Sequence, residues 1–183
     1  MLRWFAKRRI NAFERAFHYD ASYMHEMMAV SWPGFRRFLK ATELAAHRED
    51  VPPEAWHAAR IAATLSEDCG PCTQLMVQMA EMEGIAPSIL QGILTGDEKA
   101  MGPTATLALQ FALAVLARDS RADSLREQIA TRWGQRAVLS LALAMTGTRL
   151  YPAVKYALGH GQACAMIKVG DKETRPQALP IAA

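Results

Sequence analysis

The sequence predicts an all-α fold, a single-domain helical bundle, on three observations. Alanine, leucine and methionine dominate a chain whose hydrophobic residues make up 51%, and these are strong helix formers. Apolar residues recur at the three- and four-residue spacing of helix faces through most of the chain. No β-branched run reads as a strand. The length, 183 residues, suits one domain, and folding at this size buries roughly 70% of the unfolded chain's surface.

The elements follow in order. Residues 2–19 read as an amphipathic helix, with Ala6, Ile10, Phe13 and Phe17 at helical spacing and Arg3, Lys7, Arg8, Arg9 and Arg15 elsewhere. A basic amphipathic helix can lie on a membrane surface, but packing on its own or a neighbouring subunit is the preferred reading. A methionine-rich segment, 23–28, suits a packing surface, and His18 and His25 read as ordinary surface or packing residues. Trp32-Pro33-Gly34 is expected to break the chain before a helix over about 35–48. Pro53 and Glu54 open the next helix, which runs to about Glu67 with Trp56, Ala59 and Ala63 inward. A helix from Cys69 to about Glu83 presents Leu75, Met76, Met79 and Met82, and Gly84 ends it.

Beyond it, 85–94 reads as a short helix. The helix after Pro103 is apolar nearly all round, which marks it as central, with Gln110 expected to find a buried hydrogen bond. Ser124 and Glu127 suggest a capping box for a helix ending at Trp133-Gly134. Residues 135–146 form a second apolar helix, a break is expected near 149–151, and a last helix runs to Gly159. The tail over 170–183 is expected to be mobile or partner-bound.

Composition narrows the function classes. Lys and Arg number 21 against 18 Asp and Glu, a net +3 at pH 7, which does not point to nucleic acid. No run reaches the roughly 20 apolar residues of a membrane span. The N-terminus lacks the continuous apolar stretch of a secretory signal, so the expected setting is a reducing cytoplasm. No glycine-rich phosphate loop or glycine-centred serine elbow is present.

The chemistry concentrates in Glu67-Asp68-Cys69-Gly70-Pro71-Cys72, which holds two of the three cysteines. Thiols react as thiolates, and a helix N-terminus lowers a thiol's pKa through its unpaired N–H groups and dipole. Asp68 can act as N-cap, with Pro71 tolerated in the first turn. Cys72 then falls one turn beyond Cys69 on the same face. Cys69 reads as the more exposed attacking thiol and Cys72 as the resolving one. The same four residues occur in thioredoxins, after a strand; here the alanine-rich 58–65 precedes them, so that fold is rejected. Inert buried cysteines are one alternative. A zinc site completed by His57, His160 and Cys164 is another, with a spacing that fits no usual pattern. A permanent structural disulfide does not suit the expected compartment.

An alanine-rich helix leading into Cys-X-X-Cys, then "MAEMEGIAPSILQGILTGD", a long apolar helix, a charged helix and an apolar helix ending "TRLYPAVKYALG" resembles the alkylhydroperoxidase D-like, or carboxymuconolactone decarboxylase-like, superfamily. The resemblance covers roughly residues 50–160. It implies 51–165 as an alkylhydroperoxidase D-like helical domain, 1–50 as an N-terminal helical extension and 166–183 as a tail. It also implies a homo-oligomer, a peroxide or disulfide substrate and an external dithiol reductant; no cofactor or bound metal is expected. Cys69 and Cys72 carry over directly. The family's motif continues to a histidine, and Met76 stands there. Its upstream glutamate falls near His57, with Glu54 a shifted equivalent. Glu67 and His57 are therefore the candidate proton-handling residues. Three functions are weighed: a thiol-dependent peroxidase or disulfide oxidoreductase, a non-catalytic or redox-sensing oligomeric interaction protein, and a lyase of the decarboxylase kind.

Overall fold

The structure, a computed structural model, describes residues 2–163 and 166–177. Among them the chain forms nine α-helices: α1 Leu2–Phe17, α2 Ser22–Val30, α3 Trp32–Thr42, α4 Pro53–Ser66, α5 Gly70–Met82, α6 Pro87–Thr95, α7 Glu98–Leu116, α8 Arg121–Trp133 and α9 Gln135–Ala157. A 3-10 turn, Glu43–Ala46, joins α3 to α4, and two short strands, β1 Ile167–Val169 and β2 Lys172–Thr174, follow α9. The all-α expectation holds.

The bundle is built around α4. Ala55, Ala58, Ala59, Ala62 and Ala63 are all fully buried on it. Side chains this small let neighbours approach from every side, and α5, α7 and α9 all pack against α4. Large apolar residues fill the space between: Ile61 of α4, Leu90 of α6, Ile129 of α8 and Leu141 of α9 are each 0% exposed. Ile10, Tyr23, Phe35 and Phe38 of α1–α3 join the same core, so the N-terminal helices share the interior of the rest.

Several local expectations are corrected. Trp32-Pro33-Gly34 is the first turn of α3, not a break; Ser31 caps it by accepting from the Gly34 N–H at 3.1 Å, and proline is compatible with a first turn. Ser124 lies inside α8, where its hydroxyl donates to the Arg121 carbonyl, so the capping box does not form. Gln110 is exposed and donates to Glu98 Oε1 at 2.7 Å. Met82 is 72% exposed and leaves the apolar face of α5 to Leu75 and Met76. Within α7, Gly102 at φ 74° interrupts the helix before Pro103.

The break expected near 149–151 is absent, and α9 runs through Gly147 and Pro152. Gly147 is there for packing: a Cβ on it would lie 2.4 Å from the backbone nitrogen of Ala45. Both α7 and α9 are long and apolar enough to cross a membrane, contrary to the estimate from sequence. Both pack within the bundle, α7 on α4, α6 and α8, and α9 on α4 and α8.

Residues 167–174 form a strand pair that the sequence did not suggest. Ile167 and Val169 are buried while Lys168 points out, and Gly170 turns the chain at φ 56°. Gln74 of α5 clamps β1, donating to the Lys168 carbonyl at 2.9 Å and accepting from its N–H at 2.7 Å. The Gln177 N–H donates to the Leu94 carbonyl at 2.8 Å. The tail is thus fixed on α5 and α6 as far as residue 177; the expectation for 178–183 lies outside the described residues.

Candidate functional site

The turn between α4 and α5 delivers the two cysteines. α4 ends at Ser66, and the Cys69 N–H reaches back to the Thr64 carbonyl at 3.4 Å. Asp68 takes a left-handed conformation, φ 47°, which an aspartate tolerates better than most residues. That geometry makes Cys69, not Asp68, the N-cap of α5. The Cys69 carbonyl accepts from the Thr73 N–H at 2.9 Å and the Thr73 hydroxyl at 3.0 Å. Cys69 and Cys72 are joined by a disulfide, with their Cα atoms 5.2 Å apart.

Both cysteines are buried, Cys69 at 0% and Cys72 at 1% exposure, so Cys69 is not the exposed member of the pair. The chain beyond α9 folds back over them. The Gln162 carbonyl accepts from the Gly70 N–H at 3.2 Å. The Tyr156 hydroxyl donates to the Asp68 carbonyl at 2.9 Å. Gly161 lies against the Tyr156 ring so closely that a Cβ there would sit 2.1 Å from it.

The other candidates are placed apart. Glu67 stays beside the disulfide, half-buried, and forms an ion pair with Arg149 of α9. His57 lies at the opposite end of the antiparallel α4–α5 pair. Nine residues of helix separate it from the end of α4, roughly 14 Å at 1.5 Å per residue. Its Nε2 hydrogen-bonds Glu83 Oε2 at 2.7 Å, and Glu83 also pairs with Arg48. His57 is 1% exposed. Burial holds its pKa down to about 4, against the opposing pull of Glu83. The imidazole is neutral at neutral pH and donates through Nε2, which leaves Nδ1 as a buried acceptor with no partner among the described residues.

His160 hydrogen-bonds Ser22 and Glu26 of α2, which ties the post-α9 segment to the N-terminal helices instead of to the sulfurs. Cys164 lies outside the described residues. Among the described residues no group of three or more His, Cys, Asp or Glu could hold a metal. Glu54 stands in the first turn of α4.

Met76 is buried one turn beyond Cys72 and faces a cavity of about 610 Å³. Leu75, Met76 and Met79 of α5 form one wall; α1 and α3 contribute Ile10, Phe13 and Phe35 among others; Arg60 and Tyr151 also line it. The N-terminal extension therefore encloses space against the helix that carries the dithiol. Burial lowers the Arg60 pKa to about 10 and raises that of Tyr151.

Reading the sequence alone missed Arg60, Arg149 and Tyr156. Arg60 had a signal, being the one charged residue in the run 58–65. The other two had none, because their partners lie more than 80 positions away. Comparison with family models, curated proteins and solved structures gives no match.

Proposed function

We propose that the chain is a thiol-dependent oxidoreductase of the alkylhydroperoxidase D-like kind, working as a homo-oligomer in a reducing cytoplasm. One observation carries the reading: Cys69 and Cys72 are joined at the N-terminus of α5, within an all-helical scaffold. A helix N-terminus favours the thiolate of the reduced pair. Cys69 then attacks a hydroperoxide oxygen, the O–O bond breaks, and the alcohol leaves with a sulfenic acid on Cys69. The Cys72 thiol condenses with it, releasing water and forming the disulfide. An external dithiol restores both thiols by two exchange steps. Glu67, adjacent to the pair and held by Arg149, is the candidate proton acceptor.

The burial of both cysteines, with Met76 where the resembled family has a histidine, favours a second reading. On it the protein is a redox-responsive interaction module whose disulfide forms slowly and changes assembly or binding.

A short stoichiometric pulse of hydroperoxide on the reduced protein, with free thiols alkylated and the products weighed, tests the first reading. Rapid loss of two hydrogens mapped to a Cys69–Cys72 link is the expected result, and it disappears in Cys69→Ser and Cys72→Ser. Full peroxide turnover in the serine variants overturns the site. Slow disulfide formation without saturable turnover selects the second reading.

A further inference from the structure

Arg60 is a buried charge with no ion-pair partner among the described residues; Glu83 acts on it only at longer range. Arg60 is 6% exposed. Among the described residues its Nε has no hydrogen-bond partner, and its Nη2 reaches only the Met79 sulfur, at 3.7 Å. Among the described residues no carboxylate comes within ion-pair distance of it. The guanidinium stacks on the Trp56 ring at 4.1 Å, which fixes its plane without neutralising it. Burial lowers its pKa only to about 10, so it stays charged at neutral pH. Isolated buried charges are costly and are normally paired.

This guanidinium lines the cavity between the N-terminal helices and α5. The other charged residues of the lining, Arg9 and Glu43, are exposed and of opposite sign. The interior therefore carries one positive charge in a wall that is otherwise mainly aliphatic, aromatic and thioether. The volume, about 610 Å³, falls within the about 300–1,000 Å³ typical of small-molecule sites.

We propose that the cavity binds an apolar monocarboxylic acid. Its carboxylate sits on the Arg60 guanidinium, and its tail lies among Ile10, Phe35, Leu75, Met76 and Met79. The planar fork of an arginine matches a carboxylate through two parallel hydrogen bonds and would satisfy the Nε–H. One buried cation balances a monoanion; a phosphate dianion would leave net charge in an apolar interior. Methionines accommodate tails of differing shape. The inference is independent of the redox reading, because neither cysteine lines the cavity.

The test is calorimetric titration of the full-length protein, at neutral pH, with octanoate and with octanol. Octanoate is expected to bind at one site about tenfold or more tighter than octanol, the worth of a charge-assisted hydrogen bond. Arg60→Gln is expected to remove that preference while octanol still binds. Ala6→Trp, which puts an indole into the cavity lining with Arg60 intact, is expected to weaken both ligands and covers the case in which Arg60→Gln does not fold. No octanoate binding, equal affinity for the two ligands, an undiminished preference in Arg60→Gln, or unchanged octanoate affinity in Ala6→Trp each overturns the proposal.

Discussion

His57 of α4 donates through Nε2 to Glu83 Oε2 at 2.7 Å, joining the N-terminal half of α4 to the residue that ends α5. The histidine is almost completely buried and its pKa is held down to about 4 from 6.5. The unfolded chain therefore binds a proton between those values that the native state does not. Stability rises with pH across that window and is lost as pH falls through 6.5. The slope approaches about 1.4 kcal/mol per pH unit. Glu83 acts in the same direction. Burial alone would raise its pKa, but hydrogen bonds from His57 and Arg48 bring it below the ordinary value, so its contribution is also lost in acid. Denaturant unfolding at neutral pH and at pH near 5 should show the loss, and His57→Gln should flatten it. An unchanged slope in that variant would assign the acid sensitivity elsewhere.

Tyr156 braces the turn that carries the disulfide. Its hydroxyl donates to the Asp68 carbonyl, and the chain just beyond it covers two buried cysteines. Tyr156→Phe removes the hydrogen bond to the Asp68 carbonyl, worth about 1 kcal/mol, and should open the cover about fivefold more often. Reduction of the Cys69–Cys72 bond by dithiothreitol should accelerate by that factor. Equal rates would show that the reductant enters by another route.

Met76→His places an imidazole one turn after Cys72, where the resembled family carries one. On the oxidoreductase reading, hydroperoxide-driven disulfide formation should rise toward the ~10²-fold that a positioned acid–base group contributes. Stopped-flow tryptophan fluorescence or quenched mass analysis would follow it. No gain would mean that proton transfer at this position does not limit the reaction.

Gly147→Ala decides between two opposite signs. In an exposed helix the change stabilises by about 1 kcal/mol. Here the new Cβ would lie 2.4 Å from the Ala45 backbone, so α9 and the 3-10 turn must separate. A net loss of about 1–3 kcal/mol is expected, as for overpacked cores, seen as a Tm lowered by several degrees. A raised Tm would show that the contact yields freely.

The sequence by itself determined the helical class, the order of most helices and the place of the dithiol. These rest on local signals: propensity, apolar spacing, and proline and glycine at helix ends, as at Pro53, Gly84 and Gly134. Local signals misled where a distant contact overrode them. Gly147 read as a break because its reason is a residue 102 positions earlier, Ala45. Ser124 read as a cap because the motif was present, but α8 begins at Arg121 instead. Residues 167–174 read as tail because a three-residue strand carries little pattern, while its stability comes from Gln74 and the α5 surface.

Only the tertiary structure decided how the candidate residues are grouped. It set His57 against Glu83, Glu67 against Arg149, and the cysteines under the segment beyond α9. It also laid α1 and α3 over α5 to enclose the Arg60 cavity. The reason is physical: spacing along a chain fixes which residues share a helix face, whereas burial, ion pairing and cavities arise between faces whose partners no local window contains.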